Sequence, residues 1–264
     1  MNKITYFDSN IYIGNWPFHQ LRYNNLDGIF HLMKKVNIEK GIISSLDSVF
    51  CIDRDLPEVN RKLYEQVREH PEKLLPFYTI NPNVYDCSEY IDQLVKEYNS
   101  YGFRLYPTYH DYSLLSKAVD SVAVKASEYK IPIFVTYRFE DERVHHPNAK
   151  VPTANTEELA QFFNKHPDTT FIMGGMRITD AEELFNLLSY PNVYFELSFI
   201  QTPFRSLELL IEKVGVDRVL FGTGLPYWYP ECTTLKLETS ILSEENIRKI
   251  ARDNLQMIID QRMR

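Results

Sequence analysis

Val219-Leu220-Phe221-Gly222-Thr223-Gly224-Leu225-Pro226 is an apolar run that stops abruptly in two glycines and a proline. That is the pattern of a buried strand ending in a tight loop. Upstream of it, short apolar runs recur at 4–7, 41–46, 74–80, 103–106, 131–137, 170–173 and 193–199, with the last at 218–221. Helical patterns fall between and after them, at 26–36, 58–70, 88–100, 113–129, 156–165, 179–188, 205–214 and 243–261. Strands alternating with helices predict a parallel sheet. An open doubly wound sheet ordinarily stops at about five to seven strands, whereas eight strand–helix units close into a barrel. The expected architecture is therefore α/β, a single-domain (β/α)8 TIM barrel spanning 1–264. The two longest insertions, 138–155 and 227–242, follow the fifth and eighth strands. Such loops lie on the C-terminal face, where sites in this architecture are built.

Composition narrows the function. The 264 residues are 44% hydrophobic and 25% charged, an ordinary globular balance. A net charge of −7 argues against a nucleic-acid or anionic-membrane surface, which needs a basic patch. No apolar run approaches the roughly 20 residues of a membrane span, and residues 1–7 lack the apolar core of a signal peptide. Cys51, Cys87 and Cys232 are far apart and follow no metal or redox spacing. Reduced thiols in a cytoplasmic protein are the expectation.

Several stations along the chain share a pattern. Phe7-Asp8-Ser9-Asn10-Ile11-Tyr12-Ile13-Gly14 stands at the first strand, and Gly102-Phe103-Arg104-Leu105-Tyr106-Pro107 at the fourth. Asn192–Ser198 forms the seventh, Val214–Thr223 the eighth, and Ile247–Ile250 with Asp253-Asn254 the closing helix. In this order and spacing the chain resembles the amidohydrolase-related TIM-barrel hydrolases. The resemblance implies a metal-dependent hydrolase site. It also implies which positions carry the metal: two first-strand histidines, here Asn10 and Tyr12; a fifth-strand histidine, here Thr136 or Tyr137; a sixth-strand histidine, here Gly175; and an eighth-strand aspartate, here Gly224. Zinc sites want three or four His, Cys or carboxylate donors, so the expectation is no metal and no other cofactor.

Polar residues remain at the strand ends. Arg104, Arg138 and Arg177 come at or just after strands four, five and six. Guanidinium forks match carboxylates and phosphates, so these three with Arg143 predict an anion-binding mouth. Tyr106 shares a strand face with Arg104, as Ser198 does with Glu196. The stretch Tyr137-Arg138-Phe139-Glu140-Asp141-Glu142-Arg143-Val144-His145-His146 is the densest cluster of functional groups. It supplies Glu140, Asp141, His145 and His146 as candidate acids and bases beside Glu196. The alternative for this loop is a solvated lid laced by its own ion pairs. Asn10, Tyr12, Tyr137 and Trp228 complete the candidate substrate contacts, and the aromatic run around Trp228 serves equally to wall a pocket or to meet a second subunit.

Two functions follow. The first is metal-independent hydrolysis of a small anionic or hydroxylated lactone or ester, the resemblance extending to lactonases that work without metal. The second is a catalytically inactive barrel that binds a metabolite or a protein. Decarboxylation or a relocated metal site comes behind both.

Overall fold

The computed structural model describes residues 4–84, 87–180, 184 and 186–262. Eight parallel strands run in sequential order, β1 (Tyr6–Ile13), β2 (Ile38–Ser45), β3 (Leu74–Thr79), β4 (Gly102–Leu105), β5 (Ile133–Thr136), β6 (Phe171–Gly174), β7 (Val193–Glu196) and β8 (Val219–Leu220). The ring closes between β8 and β1. Ser9 N–H donates to Phe221 O at 2.8 Å, Tyr12 N–H to Leu225 O at 2.8 Å, and Gly224 N–H to Asn10 O at 2.7 Å. Each strand is buried almost throughout, as parallel strands covered on both faces must be.

Helices α1 (Leu26–Lys35), α2 (Leu56–Val67), α3 (Cys87–Lys96), α4 (Lys117–Tyr129), α5 (Thr156–Lys165) and α6 (Ser206–Val214) surround the strands. Side-chain caps start several of them: Asn25 accepts from Gly28 N–H, Ser116 from Val119 N–H, and Asn155 from Glu157 and Glu158 N–H. None of the helices among the described residues is long and apolar enough to cross a membrane. The segment read as a helix over 179–188 shows 3-10 turns at Ile178–Asp180 and Leu187–Ser189, and much of what lies between falls outside the described residues.

The insertion after β8 is not an uninterrupted loop, for it carries α7 (Pro230–Glu238). Its apolar residues do not share one face: Leu235 is exposed while Leu237 is buried. Two adjacent threonines, 233 and 234, weaken the helical signal further. The closing helix runs as α8 (Glu244–Arg248), one π-turn over Lys249–Asp253, and α9 (Asn254–Asp260).

The barrel interior is layered. At the base, Phe7, Ile42, Phe77, Phe134, Ile172 and Leu220 pack together and are closed off by Leu255, Ile258 and Ile259 of α9. At the opposite end, Tyr12, Trp16, Leu46, Val49, Tyr106 and Phe139 form a second apolar cluster. Between the two lies a polar layer.

Candidate functional site

Arg104 is the centre of that polar layer. It sits on β4, paired in register with Thr79 on one side and Phe134 on the other, and is fully buried. Its Nε donates to Ser44 Oγ at 2.6 Å, Nη1 to Tyr12 Oη at 2.8 Å, and Nη2 to Asn10 Oδ1 at 2.8 Å. The guanidinium carbon lies 3.9 Å from the centre of the Phe134 ring and 4.6 Å from that of Tyr12, so π-faces share the cation with the hydrogen-bond acceptors. The network continues through Asn10, whose Nδ2 donates to Ser198 Oγ at 3.3 Å. Ser198 Oγ in turn donates to Glu196 Oε1 at 2.7 Å. Ser198 N–H reaches Glu196 Oε2 at 2.8 Å, and Gly175 N–H reaches Oε1 at 3.3 Å. The two-residue spacings 10/12 and 196/198 place each pair on one strand face.

Burial raises the Glu196 carboxyl above the ordinary glutamate range, against the pull of its hydrogen bonds from Ser198 and Gly175 and of the Arg104 charge. Asp8 is pushed up to about 7, also chiefly by burial. Its Oδ1 accepts from Asn10 N–H at 2.8 Å and Thr223 N–H at 3.0 Å, and its Oδ2 from Thr223 Oγ1 at 2.5 Å. Asp8 thus bridges the seam where the barrel closes. Neither Asp8 nor Ser44 stood among the candidates read from sequence. The available signal was a polar side chain inside an otherwise buried parallel strand, where an unpaired polar group is costly.

Above this layer is a cavity of about 10 Å³, lined among others by Asn10, Tyr12, Thr136, Arg138, Ser198 and Trp228. That is room for about one water molecule. The Thr136 hydroxyl is buried without a hydrogen-bond partner among the described residues. Aromatic rings cover the mouth. Trp16 stacks on Phe139 at 4.8 Å, and Tyr227 lies edge-on to Trp16 at 4.9 Å and tilted against Phe139 at 5.2 Å. Glu140 is buried at this cover, where its Oε1 takes the Tyr227 hydroxyl at 2.5 Å and its Oε2 has no partner among the described residues.

Most of the remaining candidates lie away from the cavity. Arg177 forks onto Glu142 at 2.9 and 2.8 Å and meets Asp141 at 2.9 Å. Arg143 chelates Asp141 at 2.8 and 2.6 Å, and Arg138 Nη1 meets Asp180 at 2.7 Å. Hydrogen bonds from Arg143 hold the Asp141 carboxyl well below its usual range, and those from Arg177 bring Glu142 down to about 2. Carboxylates so held are weak proton acceptors at neutral pH. His146 is exposed and stacks on Phe18 at 4.5 Å, and neither it nor His145 lines the cavity. Tyr137 is buried in the layer between strands and helices, and Tyr106 in the aromatic cluster at the mouth. Of the four arginines expected around one anion, only Arg138 lines the cavity. The loop after β5 takes the form of a lid laced by its own ion pairs.

A divalent metal does not fit the positions to which the family resemblance assigns its ligands. Asn10 Oδ1 and Tyr12 Oη already accept from the Arg104 guanidinium. Gly175 has φ +83°, and a Cβ there would land on the Arg138 backbone, whose carbonyl carbon would be 2.7 Å away. At Gly224, φ +68°, a Cβ would stand 2.6 Å from Trp228 Cδ1. Among the described residues no group of three or more His, Cys, Asp or Glu is placed to hold a metal ion.

The barrel is similar to solved structures across its whole length. A 2,6-dihydroxybenzoate decarboxylase from Rhizobium superposes with TM-score 0.74 at 16% identity, over 98% of this chain and 99% of the other. A 5-carboxyvanillate decarboxylase from Sphingomonas paucimobilis gives 0.74 at 11% identity, over 97% and 99%. A dihydroxybenzoic acid decarboxylase from Polaromonas, solved with manganese and an inhibitor, gives 0.71 at 17% identity, over 97% of each chain. At such identities the likeness shows the fold. Among curated proteins none matches the sequence. Residues 52–254 match the amidohydrolase family model, and with the sequential eight-stranded barrel in place the chain belongs to the amidohydrolase family.

Proposed function

We propose that the barrel mouth hydrolyses a small ester or lactone without a metal ion. The observation that carries this reading is the 2.7 Å hydrogen bond from Ser198 Oγ to the buried Glu196 carboxylate, at the edge of a cavity that Ser198 itself lines. A carboxylate whose proton affinity is raised by burial suits a general base near neutral pH. Ser198 Oγ attacks the acyl carbon as its proton passes to Glu196 Oε1. The bond to the leaving oxygen then breaks, and Glu196 returns the proton to the departing alkoxide. A water molecule, deprotonated by Glu196, cleaves the acyl-serine and restores the hydroxyl. The unpartnered Thr136 hydroxyl and the Arg138 guanidinium, both at the cavity, are the groups available to stabilise the oxyanion. The buried charges support a functional reading as well, because a barrel interior needing only stability is better served by apolar packing.

The cavity volume favours a second reading. Space for about one water admits no substrate unless Phe139 and Trp228, which also line it, move aside. A barrel that stays sealed is a non-catalytic scaffold.

A screen of aryl acetates and small lactones with the intact protein, Ser198→Ala and Glu196→Gln separates the two. Turnover that falls by at least about a hundredfold in each variant, the scale of a lost acid–base group, supports the hydrolase. No turnover of any probe leaves the sealed scaffold. Elemental analysis of the same purified protein is expected to find no stoichiometric zinc, manganese or iron. Close to one equivalent, removed by chelation together with activity, overturns metal independence.

A further inference from the structure

The rings that close the barrel mouth differ in burial. Trp16 and Phe139 are each 4% exposed. Against them packs the segment 226–229, which leads from β8 into α7. Its Pro226, Tyr227 and Trp228 are half-buried, and Tyr229 is exposed. The segment is anchored at both ends. Leu225 O accepts from Tyr12 N–H of β1, and Thr233 of α7 donates its hydroxyl to Gly222 O at 3.2 Å. Between these anchors, Trp228 N–H to Gly224 O at 3.0 Å is the one main-chain hydrogen bond that 226–229 donates among the described residues.

A single side-chain hydrogen bond fastens this segment to the loop after β5, from Tyr227 Oη to Glu140 Oε1 at 2.5 Å. Burial, with Glu140 beside it, pushes the Tyr227 hydroxyl above its usual range, so at neutral pH it is a donor. The loop after β5 is pinned on its other side, by Arg177 to Glu142 and by Arg138 to Asp180. Of the two elements, 226–229 is therefore the one free to move. The closed arrangement also has a cost. Glu140 Oε2 and Trp16 Nε1 are both buried at the cover without a hydrogen-bond partner among the described residues, and such atoms bear their desolvation penalty. Opening breaks one hydrogen bond and lets water satisfy the orphaned atoms. The two effects are of similar size, which leaves the closed and open states close in free energy.

We propose that residues 226–229 form a flap latched by the Tyr227–Glu140 hydrogen bond, and that its outward swing lifts Trp228 from the wall of the 10 Å³ cavity and opens the mouth to a ligand of substrate size. Such a movement supplies the access that hydrolysis at Ser198 requires. The flap is nonetheless a property of the mouth, whether or not Ser198 turns a substrate over.

The test is hydrogen exchange of the full chain, read by peptide mass, in the parent, Tyr227→Phe and the double variant Tyr227→Phe/Glu140→Met. In the parent, the Trp228 amide should exchange before that of Phe103, which is held in the barrel by Pro132 O. Tyr227→Phe should speed exchange at 226–229 by about tenfold, the upper scale for one lost hydrogen bond, and leave the strand peptides of β3 and β4 unchanged. Adding Glu140→Met should slow it again, because a cover without the orphaned carboxylate gains little from water. Acrylamide quenching gives a second reading, since both tryptophans of the chain, Trp16 and Trp228, lie at the mouth, and it should rise in Tyr227→Phe. Unchanged exchange or quenching in Tyr227→Phe overturns the latch. So does acceleration spread evenly over the strands, the mark of a merely structural bond, or a double variant as open as the single one. None of these readings needs turnover, so failure of the flap is distinguished from failure of the proposed hydrolysis.

Discussion

Arg104→Met is expected to destabilise the protein by about 3–5 kcal/mol, the scale of breaking a buried charge network by removing one partner. Methionine fills much of the volume, so the loss is not mainly one of packing. What remains is Asn10 Oδ1, Tyr12 Oη and Ser44 Oγ without the donors they now accept from. Each is buried, and unsatisfied acceptors bear their full desolvation cost. Glu196 also loses the cation that stabilises its charged form, so its carboxyl rises further. Arg104→Lys keeps the charge but cannot reproduce a three-way planar fork, and should recover part of the stability. Urea denaturation reads both variants, as a lower midpoint with an unchanged slope. A midpoint for Arg104→Met indistinguishable from the parent would mean that the arginine does not hold the polar layer together.

Asp8→Asn should stabilise the protein at pH 8 by up to about 4 kcal/mol and leave it unchanged near pH 4. The sign follows from a carboxyl raised from 3.8 to about 7 in the folded state. Below pH 4 both folded and unfolded chains carry the proton and the site costs nothing. As the pH rises toward 7 the unfolded chain releases its proton while the folded chain retains it, so stability is lost through that interval. Above 7 the loss is complete. His110 works in the opposite sense. Burial brings it down to about 4 from 6.5, so its contribution grows as the pH rises between those values and masks the slope of Asp8 in the parent. The difference between parent and variant isolates Asp8. Asparagine preserves the geometry, since Oδ1 still accepts from the two backbone N–H groups and Nδ2 donates to Thr223 Oγ1. Chemical denaturation at pH 4, 6 and 8 provides the check, and a difference that stays constant across the series contradicts it.

The fold was legible because parallel strands in a barrel are buried on both faces, and uninterrupted apolar runs announce them. α7 was not, because its buried face, Pro230, Thr233, Thr234 and Leu237, carries two threonines while the apolar Leu235 is exposed, so hydrophobicity does not mark the face. The site was legible in part. Asn10 and Tyr12 could be placed through the family resemblance, and Arg104, Glu196 and Ser198 by their position at strand ends, and the five form one connected network. The loop after β5 misdirects the reading, because a sequence displays which charges are present and not how they pair. Asp141, Glu142, Arg143 and Arg177 neutralise one another in space, and no spacing along the chain reveals that Arg177 folds back across to Glu142. Asp8 hides for the opposite reason, a single acid in a strand whose partner, Thr223, lies at the far end of the chain.

The close backbone approach at Gly175 has an evolutionary corollary. Because the Arg138 carbonyl occupies the space in which a side chain would begin, no single codon change can install a metal donor there without moving the main chain after β5. The same holds, less severely, at Gly224 beneath Trp228. A side chain at either position therefore calls for a rearranged loop before it calls for a new codon.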